Sequence, residues 1–274
     1  MWTKLLLMAL SLLAITAAIH FNPRARSLLG SRSHNGPHLR LLTWNIGYAV
    51  LEDDSRAHTK DLKAIAETIL SNDPDAVALQ ELTGADQLNV LLRHLHNQYR
   101  GAVAPSGSSD RVDAVLVKAR DAHFENFVAG ERYALAATFH VQAESPQLVL
   151  VSAHADAFKA ARRRIFTGDV VDWARNRPRG SMVFIAGDFN FELNTKDESH
   201  LYTDNVKNDS EAYSYMLKYF RDLGRDAGYT AVDDRRIDYV FGPSEPVVLR
   251  RAEVLRNASV GQMDHWPVLV EVSL

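Results

Sequence analysis

Short runs of apolar residues recur along the chain and alternate with segments that have helical periodicity. Helical spacing predicts helices at 58–70, 85–96 and 158–173. Apolar runs predict strands at 39–44, 75–79, 112–117, 134–141, 148–152, 182–186, 236–241, 247–254 and 267–272. Strands that are apolar throughout are buried on both faces, which indicates sheets covered by helices. The pattern predicts one α/β domain over residues 39–274, with more strands than one open parallel sheet usually needs.

The first 40 residues differ in composition from the rest of the chain. Residues 5–19 are apolar except for Ser11 and Thr16, and they follow Lys4. A membrane-spanning helix needs about 20 apolar residues, whereas a signal-peptide core needs about 7–15. Residues 1–22 are therefore predicted as a signal peptide or signal anchor and residues 23–38 as a polar linker, with a cytosolic helix as the alternative. The protein is expected to be exported or membrane-anchored, with membrane contact through this segment.

The rest of the chain is acidic, and the chain contains no cysteine. Without the five basic residues of the first 40, it carries 26 basic and 34 acidic residues. Such a domain has no general attraction to nucleic acid or to an anionic membrane. The absence of cysteine excludes disulfides, thiolate metal sites and a cysteine nucleophile.

Polar side chains with hydrolytic chemistry lie at or near the ends of six of the apolar runs. Each one alone has a structural explanation, such as a turn residue, a helix cap or an ion pair. Six endings of this kind are more informative, because α/β sheets gather functional groups at the ends of their strands. The residues are Asn45, Glu81, His154, Asp188 with Asn190, Asp238, and Asp264 with His265.

The sequences around these residues resemble the ordered motifs of the endonuclease/exonuclease/phosphatase superfamily, which includes deoxyribonuclease I. The six motifs are TWNIG (43–47), LQEL (79–82), SAHADAF (152–158), GDFN (187–190), RIDYVF (236–241) and MDHWPV (263–268). The resemblance covers about residues 39–274. It implies a four-layer α/β sandwich, in which two mixed β-sheets pack face to face with helices outside. It also implies a metal-dependent hydrolase of phosphoester bonds.

Phosphoester hydrolysis needs a cation, an activated water and donors to the phosphate. Mg²⁺ prefers oxygen ligands and takes one or two carboxylates, a requirement that Glu81 and Asn45 meet. The family pattern places the metal there, with Asp264 contributing and with Mn²⁺ or Ca²⁺ as substitutes. A zinc site built on several histidines is the alternative. By resemblance, His265 is the general base, and the carboxylate of Asp238 holds it in the required tautomer.

The resemblance also implies roles for the remaining residues at the strand ends. Asp188 orients the attacking water or helps to deprotonate it. Asn190 donates a hydrogen bond to a phosphate oxygen, and His154 steadies the transition state or protonates the leaving group. Asn190 and His154 are therefore candidates for substrate binding as well as catalysis, and Asp113 is a candidate acidic partner of His154.

Four alternatives remain for the function of this site. The first is a phosphodiesterase that acts on nucleic acid in the manner of an endonuclease, since such an enzyme needs only a local basic groove. The second is a membrane-associated phospholipid or sphingomyelin phosphodiesterase, which binds a lipid headgroup. A phosphomonoesterase and a non-catalytic scaffold with the same fold follow. No obligate protein partner is evident from the sequence.

Two further segments carry predictions about the surface. Six arginines between 162 and 179 are predicted to lie on a solvated helix face, with contacts to nucleic-acid phosphates or lipid headgroups as the alternative. The acidic and amide-rich segment 192–211 is predicted as a long surface loop, with a lid as the alternative.

Overall fold

The computed structural model describes residues 37–47, 55–107, 111–193, 203–258, 260–261 and 263–274. Residues Pro37–Leu274 form one compact unit. The predicted signal segment lies outside the described residues, as does the predicted linker apart from its last two residues. Among the helices that are described, none is long and apolar enough to cross a membrane.

The helices and strands follow the predicted order. The helices are α1 (Ser55–Asn72), α2 (Ala85–His94), α3 (Ala160–Arg175) and α4 (Val206–Leu217). The strands are β1 (His38–Asn45), β2 (Ala76–Leu82), β3 (Arg100–Val103), β4 (Val112–Val117), β5 (His123–Ala129), β6 (Arg132–Phe139), β7 (Leu148–His154), β8 (Met182–Asp188), β9 (Arg221–Asp222), β10 (Asp238–Gly242), β11 (Val248–Val254) and β12 (Val268–Ser273). Every predicted element is present, and its ends differ from the prediction by at most three residues.

The strands form two mixed sheets of six strands each, in the orders β11-β12-β1-β2-β4-β3 and β5-β6-β7-β8-β10-β9. Each sheet has one parallel pair, β1 with β2 and β7 with β8, while the other pairs are antiparallel. Helices α1 and α2 pack on the first sheet, and α3 and α4 pack on the second. The four-layer α/β sandwich is confirmed.

The two parallel strand pairs, β1 with β2 and β7 with β8, position the residues of the candidate site. In the chain, α1 lies between β1 and β2, and α3 lies between β7 and β8. The register aligns the carboxyl ends of each pair, so that Asn45 lies opposite Gln80 and His154 lies opposite Asp188. The two rims meet across the sandwich, where Gln80 Nε2 donates a hydrogen bond to Ser152 Oγ at 3.0 Å.

Successive side chains of a strand point alternately into the core between the two sheets and into the core between a sheet and its helices. In β1, Leu39 and Leu41 pack in the core between the two sheets, whereas Leu42 and Trp44 pack under the helices. All four side chains are fully buried. Successive side chains of a strand point to opposite faces, so a central strand of a four-layer fold is apolar on both faces.

The sequence predicted a surface loop at 192–211, but part of this segment lies in helix α4. Residues 194–202 of the segment lie outside the described residues. The buried face of α4 carries Asp209, which forms an ion pair with Arg163 of α3. Both side chains are fully buried, and Arg163 Nε lies 2.6 Å from Asp209 Oδ1. The prediction of a solvated helix face was therefore wrong for Arg163. A charged residue on the buried face of each helix interrupts the apolar periodicity that would otherwise reveal it.

Candidate active site

Asn45 and Glu81 form the part of the site that lies on the first sheet. Asn45 ends β1, and Glu81 lies in β2 where its pairing with β4 shifts register between Leu79 and Leu82. Glu81 has a φ of 65°, a left-handed conformation that is uncommon for this residue type and that occurs at β-bulges. Asn45 Nδ2 donates hydrogen bonds to Glu81 Oε1 at 3.1 Å and to Asp188 Oδ2 at 3.0 Å. One amide therefore joins a carboxylate of each sheet.

Gly47 packs directly against the carboxylate of Glu81. Its backbone N–H donates to Asn45 Oδ1 at 3.0 Å. A β-carbon on Gly47 would lie 2.1 Å from Glu81 Oε2 and 3.2 Å from Asn45 Oδ1. Any other residue at this position would displace the carboxylate, so Gly47 is part of the cradle that holds Glu81.

We expect Gly47→Ala to weaken Mg²⁺ binding by about 10- to 100-fold, because Glu81 is a candidate metal ligand and changes next to a ligand typically have this effect. The side chain of Glu81 can rotate away from the new methyl group, so the melting temperature should change little. Isothermal titration with Mg²⁺ and thermal unfolding measure the two effects. Gly168→Ala is the control, since a β-carbon at Gly168 meets no atom within 4 Å. Unchanged affinity in Gly47→Ala would show that Glu81 does not bind the metal.

Asp188 and Asn190 lie at the end of β8 on the second sheet. Gly187 has a φ of 150°, and a β-carbon there would lie 1.9 Å from Ala153 O, so only glycine allows this approach of β7 and β8. Asp188 Oδ1 accepts a hydrogen bond from Asn190 N at 2.9 Å, and Asn190 has a φ of 52°. This Asx turn ends the strand and places Asn190 Nδ2 3.5 Å from Ala155 O, beside the end of β7.

His265 and Asp238 form a buried hydrogen-bonded pair. His265 Nδ1 lies 2.8 Å from Asp238 Oδ2, and Thr230 Oγ1 accepts a hydrogen bond from Asp238 N at 3.0 Å. His265 Nε2 lies 3.7 Å from Asp188 Oδ2, which is too far for a direct hydrogen bond. The pair therefore fixes Nδ1 and leaves Nε2 available to a water molecule or a substrate.

His154 ends β7 and faces both sheets. Its Nε2 lies 3.7 Å from Glu81 Oε1 and 3.8 Å from Asp188 Oδ2. The structure does not give His154 the predicted partner, because no hydrogen bond joins it to Asp113 among the described residues. Asp113 Oδ2 is buried with no hydrogen-bond partner, and burial raises the pKa of this carboxyl well above its usual range.

The two histidines of the site have opposite electrostatic environments. Burial lowers the pKa of His154 to about 4, because it outweighs the attraction of the nearby Asp188 carboxylate. Burial also lowers the pKa of His265, but the carboxylates of Asp238 and Asp188 outweigh it and raise the pKa to about 10. In the protein without a bound cation, His154 is therefore neutral at pH 7 and His265 is protonated.

The oxygens at this rim fit a hard divalent cation. Glu81, Asn45 and Asp188 belong to one hydrogen-bonded group of carboxylate and amide side chains, which are the ligands that Mg²⁺ prefers. The side chain of Glu81 is 23% exposed, which gives a hydrated ion a path to it. Asp264 lies at the edge of the group, with Oδ1 at 3.8 Å from His265 Nε2.

A second group of side chains also offers ligand atoms. Atoms of Asp188, Asp238 and His265 lie within 4.8 Å of one another. All three residues are buried, and a hydrogen bond already joins Asp238 to His265. This group fits a metal less well than the carboxylate of Glu81 does. It contains one histidine, so it does not match the zinc site with several histidines that was the alternative.

Arg132 lies beside the site and was not predicted from the sequence. It begins β6, and its Nη1 lies 3.4 Å from the backbone oxygen of His154. No motif marks this residue, since a basic side chain after Gly130 and Glu131 is typical of an exposed hairpin turn. Only the antiparallel pairing of β6 with β7 brings it to the rim.

Comparison with solved structures shows the same fold in other proteins. An endonuclease/exonuclease/phosphatase from Beutenbergia cavernae has a TM-score of 0.69 and 21% identity, over 86% of this chain and 72% of that chain. The mannosyl-6-phosphatase of Bacteroides thetaiotaomicron has a TM-score of 0.67 and 18% identity, over 86% and 100%. The human Nocturnin catalytic domain has a TM-score of 0.64 and 19% identity, over 86% and 93%. No curated protein matches the sequence.

Comparison with protein families identifies the chain more directly. The sequence model of the Endonuclease/Exonuclease/phosphatase family matches residues 42–261. The matched region begins in β1 and ends just before β12, so it contains five of the six motifs and most of the fold. This chain belongs to the endonuclease/exonuclease/phosphatase family, whose members are generally divalent-metal-dependent hydrolases of phosphoesters.

Proposed function

We propose that this protein is a phosphodiesterase that uses a divalent metal, most simply Mg²⁺, to cleave nucleic acid by in-line attack of water on phosphorus. The two hydrogen bonds of Asn45 carry the proposal, because they join a candidate metal ligand, Glu81, to the carboxylate that faces His265. Glu81 and Asn45 would hold the metal, with Asp264 contributing. The bound metal would polarise a phosphoryl oxygen and offset the charge of the substrate.

His265 would take the proton of the attacking water, and Asp238 would orient its ring. Asp238 accepts from Nδ1, so Nε2 is the nitrogen that faces Asp188 and the substrate. A base must be neutral before it accepts a proton, whereas the surrounding carboxylates raise the pKa of His265 to about 10. A bound cation opposes the field of these carboxylates. Metal binding should therefore lower the pKa of His265.

His154 and Asn190 would bind the phosphate from the second sheet. The pKa of His154 is lowered to about 4, so this residue would donate a hydrogen bond as a neutral imidazole and would not supply a proton to the leaving group. The amide of Asn190 offers a second donor at the same rim. Donors that are fixed before the reaction stabilise the charge of a pentavalent phosphorus without reorganisation.

The proposal is tested with the full chain, Mg²⁺ and a DNA oligonucleotide. We expect cleavage that is lost in EDTA and is lowered by about 10²- to 10⁴-fold in His265→Gln, because this change removes the general base. His123→Gln is the matched control, since His123 is an exposed residue of β5. Cleavage that persists in both EDTA and His265→Gln would contradict the proposal.

A second candidate function is favoured by one observation, the exposure of large apolar side chains in β5, in α3 and just before α3. Phe158 is 77% exposed, and Val128 and Ile165 are 61% and 58% exposed. Such side chains suit contact with a lipid surface, and an exported or membrane-anchored protein would meet one. Release of headgroups from sphingomyelin or phosphatidylcholine vesicles, with the oligonucleotide intact, would establish this function instead.

One further substrate completes the comparison. Hydrolysis of mannose 6-phosphate alone would identify a phosphomonoesterase, the activity named for the similar protein from Bacteroides thetaiotaomicron. No hydrolysis of any of these substrates would favour a scaffold that keeps the fold and binds without cleaving.

A further inference from the structure

A cleft opens at one edge of the sandwich, away from the candidate active site. It is lined by residues of β11, an edge strand of the first sheet, and of β9, an edge strand of the second. Its volume is about 640 Å³, within the range of about 300–1,000 Å³ that is usual for ligand pockets. β9 pairs with the end of β10 that is opposite to Asp238, and none of the candidate site residues lines the cleft. The cleft is therefore separate from the candidate active site.

Positive charge is concentrated in this cleft, although residues 41–274 as a whole carry 26 basic and 34 acidic residues. The four arginines that line it are Arg221, Arg225, Arg250 and Arg251. Arg251 Nη2 lies 2.6 Å from Glu253 Oε1. The other three form no ion pair within the described part of the chain. An unpaired guanidinium in a cleft offers its charge and its donors to a ligand.

Two aspartates line the same cleft, and one of them is already neutralised. Asp222 accepts hydrogen bonds from Arg236 Nη2 at 2.7 and 2.8 Å, and Tyr213 Oη donates to it at 2.8 Å. Asp226 is exposed and offsets part of the charge of the arginines. After Glu253 and Asp226 are set against the four arginines, two positive charges remain uncompensated.

A β-bulge in β11 explains how two consecutive arginines line one cleft. Consecutive side chains of a regular strand point to opposite faces, and a bulge changes this alternation. The pairing of β11 with β12 shifts register between Leu249 and Arg251. Leu249 and Ala252, three positions apart, accordingly both pack against the core between the sheets. Arg250 is held in place by its Nε, which donates to Ser273 Oγ at 2.8 Å.

The cleft also offers apolar surface beside the arginines. Its apolar lining includes Leu217 at the end of α4, Phe220 just before β9, and Leu249 of β11. Leu217 is 38% exposed, so the fold leaves much of this side chain open to contact. An anion that carries an apolar group would contact both kinds of surface, whereas an inorganic anion would contact only the arginines.

We propose that this cleft is a second ligand site, which binds a small phosphomonoester that carries an apolar or aromatic group. A phosphomonoester has a charge of about −1.5 to −2 at pH 7, which matches the uncompensated charge of the cleft. Guanidinium groups bind phosphate oxygens through paired hydrogen bonds, and arginines from two sheets can bind different oxygens of one phosphate. The inference does not depend on the proposed hydrolase function, because no catalysis is assigned to the cleft.

The test is isothermal titration of the full chain with 1-naphthyl phosphate in EDTA, which prevents metal-assisted hydrolysis during the measurement. We expect the ester to bind about tenfold more tightly than inorganic phosphate, because only the ester buries an apolar group. It should also bind more tightly than 1-naphthol, which lacks the charge. Equal affinity for the ester and 1-naphthol, or no binding of the ester, would overturn the inference.

Arg221→Gln and Arg225→Gln are the informative variants. Neither side chain takes part in an ion pair within the described residues, so the melting temperature should not change. Each variant should weaken binding of the ester by about tenfold, the usual effect of losing a charged hydrogen bond. Arg179→Gln is the matched control, because Arg179 is an exposed arginine that does not line the cleft. Its affinity for the ester should equal that of the unmodified chain.

His265→Gln separates binding in the cleft from binding in the candidate active site. The inference predicts that this variant binds the ester as the unmodified chain does. Binding that is lost in His265→Gln and retained in Arg221→Gln and Arg225→Gln would place the ester in the active site and overturn the inference. An equal loss in Arg179→Gln would show that affinity follows the net charge of the protein, which would overturn it too.

Discussion

We expect Glu81→Gln to lower kcat/KM for phosphodiester hydrolysis by about 10²- to 10³-fold, the equivalent of about 3–4 kcal/mol of transition-state stabilisation. The change removes a negative charge from the candidate metal site and keeps the shape of the side chain. Asn45 Nδ2 can still donate to the remaining side-chain oxygen, as it does to Glu81 Oε1 at 3.1 Å. The loss should therefore appear in Mg²⁺ affinity and in activity at saturating substrate, with little change in stability.

Kinetics over a range of Mg²⁺ concentrations and isothermal titration measure these effects. Glu67→Gln is the control, because Glu67 lies on α1 with 66% of its side chain exposed, and both measurements should be unaffected. Activity and affinity that survive in Glu81→Gln but disappear in Asp188→Asn would place the metal elsewhere. The buried group of Asp188, Asp238 and His265 would then be its site.

We expect Asp209→Ala to lower the free energy of unfolding by about 3–5 kcal/mol, because it leaves a buried guanidinium without its counter-ion. Arg163 and Asp209 are both fully buried between α3 and α4. Arg163 Nη2 donates to Asp209 Oδ2 at 2.8 Å, and Nη1 donates to Asp156 O at 2.9 Å, two residues after His154. Denaturant unfolding measures the loss, which should be accompanied by lower activity as the segment after β7 loosens.

The same two helices supply the control for this prediction. Arg164 and Glu211 form an exposed ion pair across α3 and α4, with an Nε–Oε2 distance of 3.4 Å. Glu211→Ala should cost less than about 1 kcal/mol, as exposed pairs usually do. The double change of Arg163→Met with Asp209→Leu should recover most of the stability. Apolar residues of similar volume fill the buried space and leave no charge without a partner. Equal losses in Asp209→Ala and Glu211→Ala would contradict the buried-pair interpretation.

The strands that form the centre of the fold could be predicted because they are buried on both faces. β4 and β7 consist almost entirely of buried residues, so their sequences are apolar runs apart from Asp113 in β4 and Ser152 and His154 in β7. β5 was missed because it is an edge strand with mostly exposed or half-buried side chains. α4 was missed because its buried face includes Asp209, whose partner, Arg163, lies 46 positions earlier in the chain.

The sequence predicted which residues belong to the candidate site, but it did not predict which of them contact one another. A polar residue after an apolar strand is visible in sequence, and the motifs give their order along the chain. The hydrogen bond from Asn45 to Asp188 joins residues 143 positions apart and exists because two separate sheets pack face to face. Arg132 belongs to no motif, and it reaches the rim only through the register of β6 with β7.

The sequence by itself determined the alternation of buried strands with helices, the residue types at the strand ends and the family to which the chain belongs. Only the tertiary structure decided the protonation of those residues. His154 and His265 carry the same imidazole, yet burial lowers the pKa of His154 to about 4 and two carboxylates raise that of His265 to about 10. The reason is physical, because desolvation and charge interactions depend on distances across the fold, which a linear sequence does not specify.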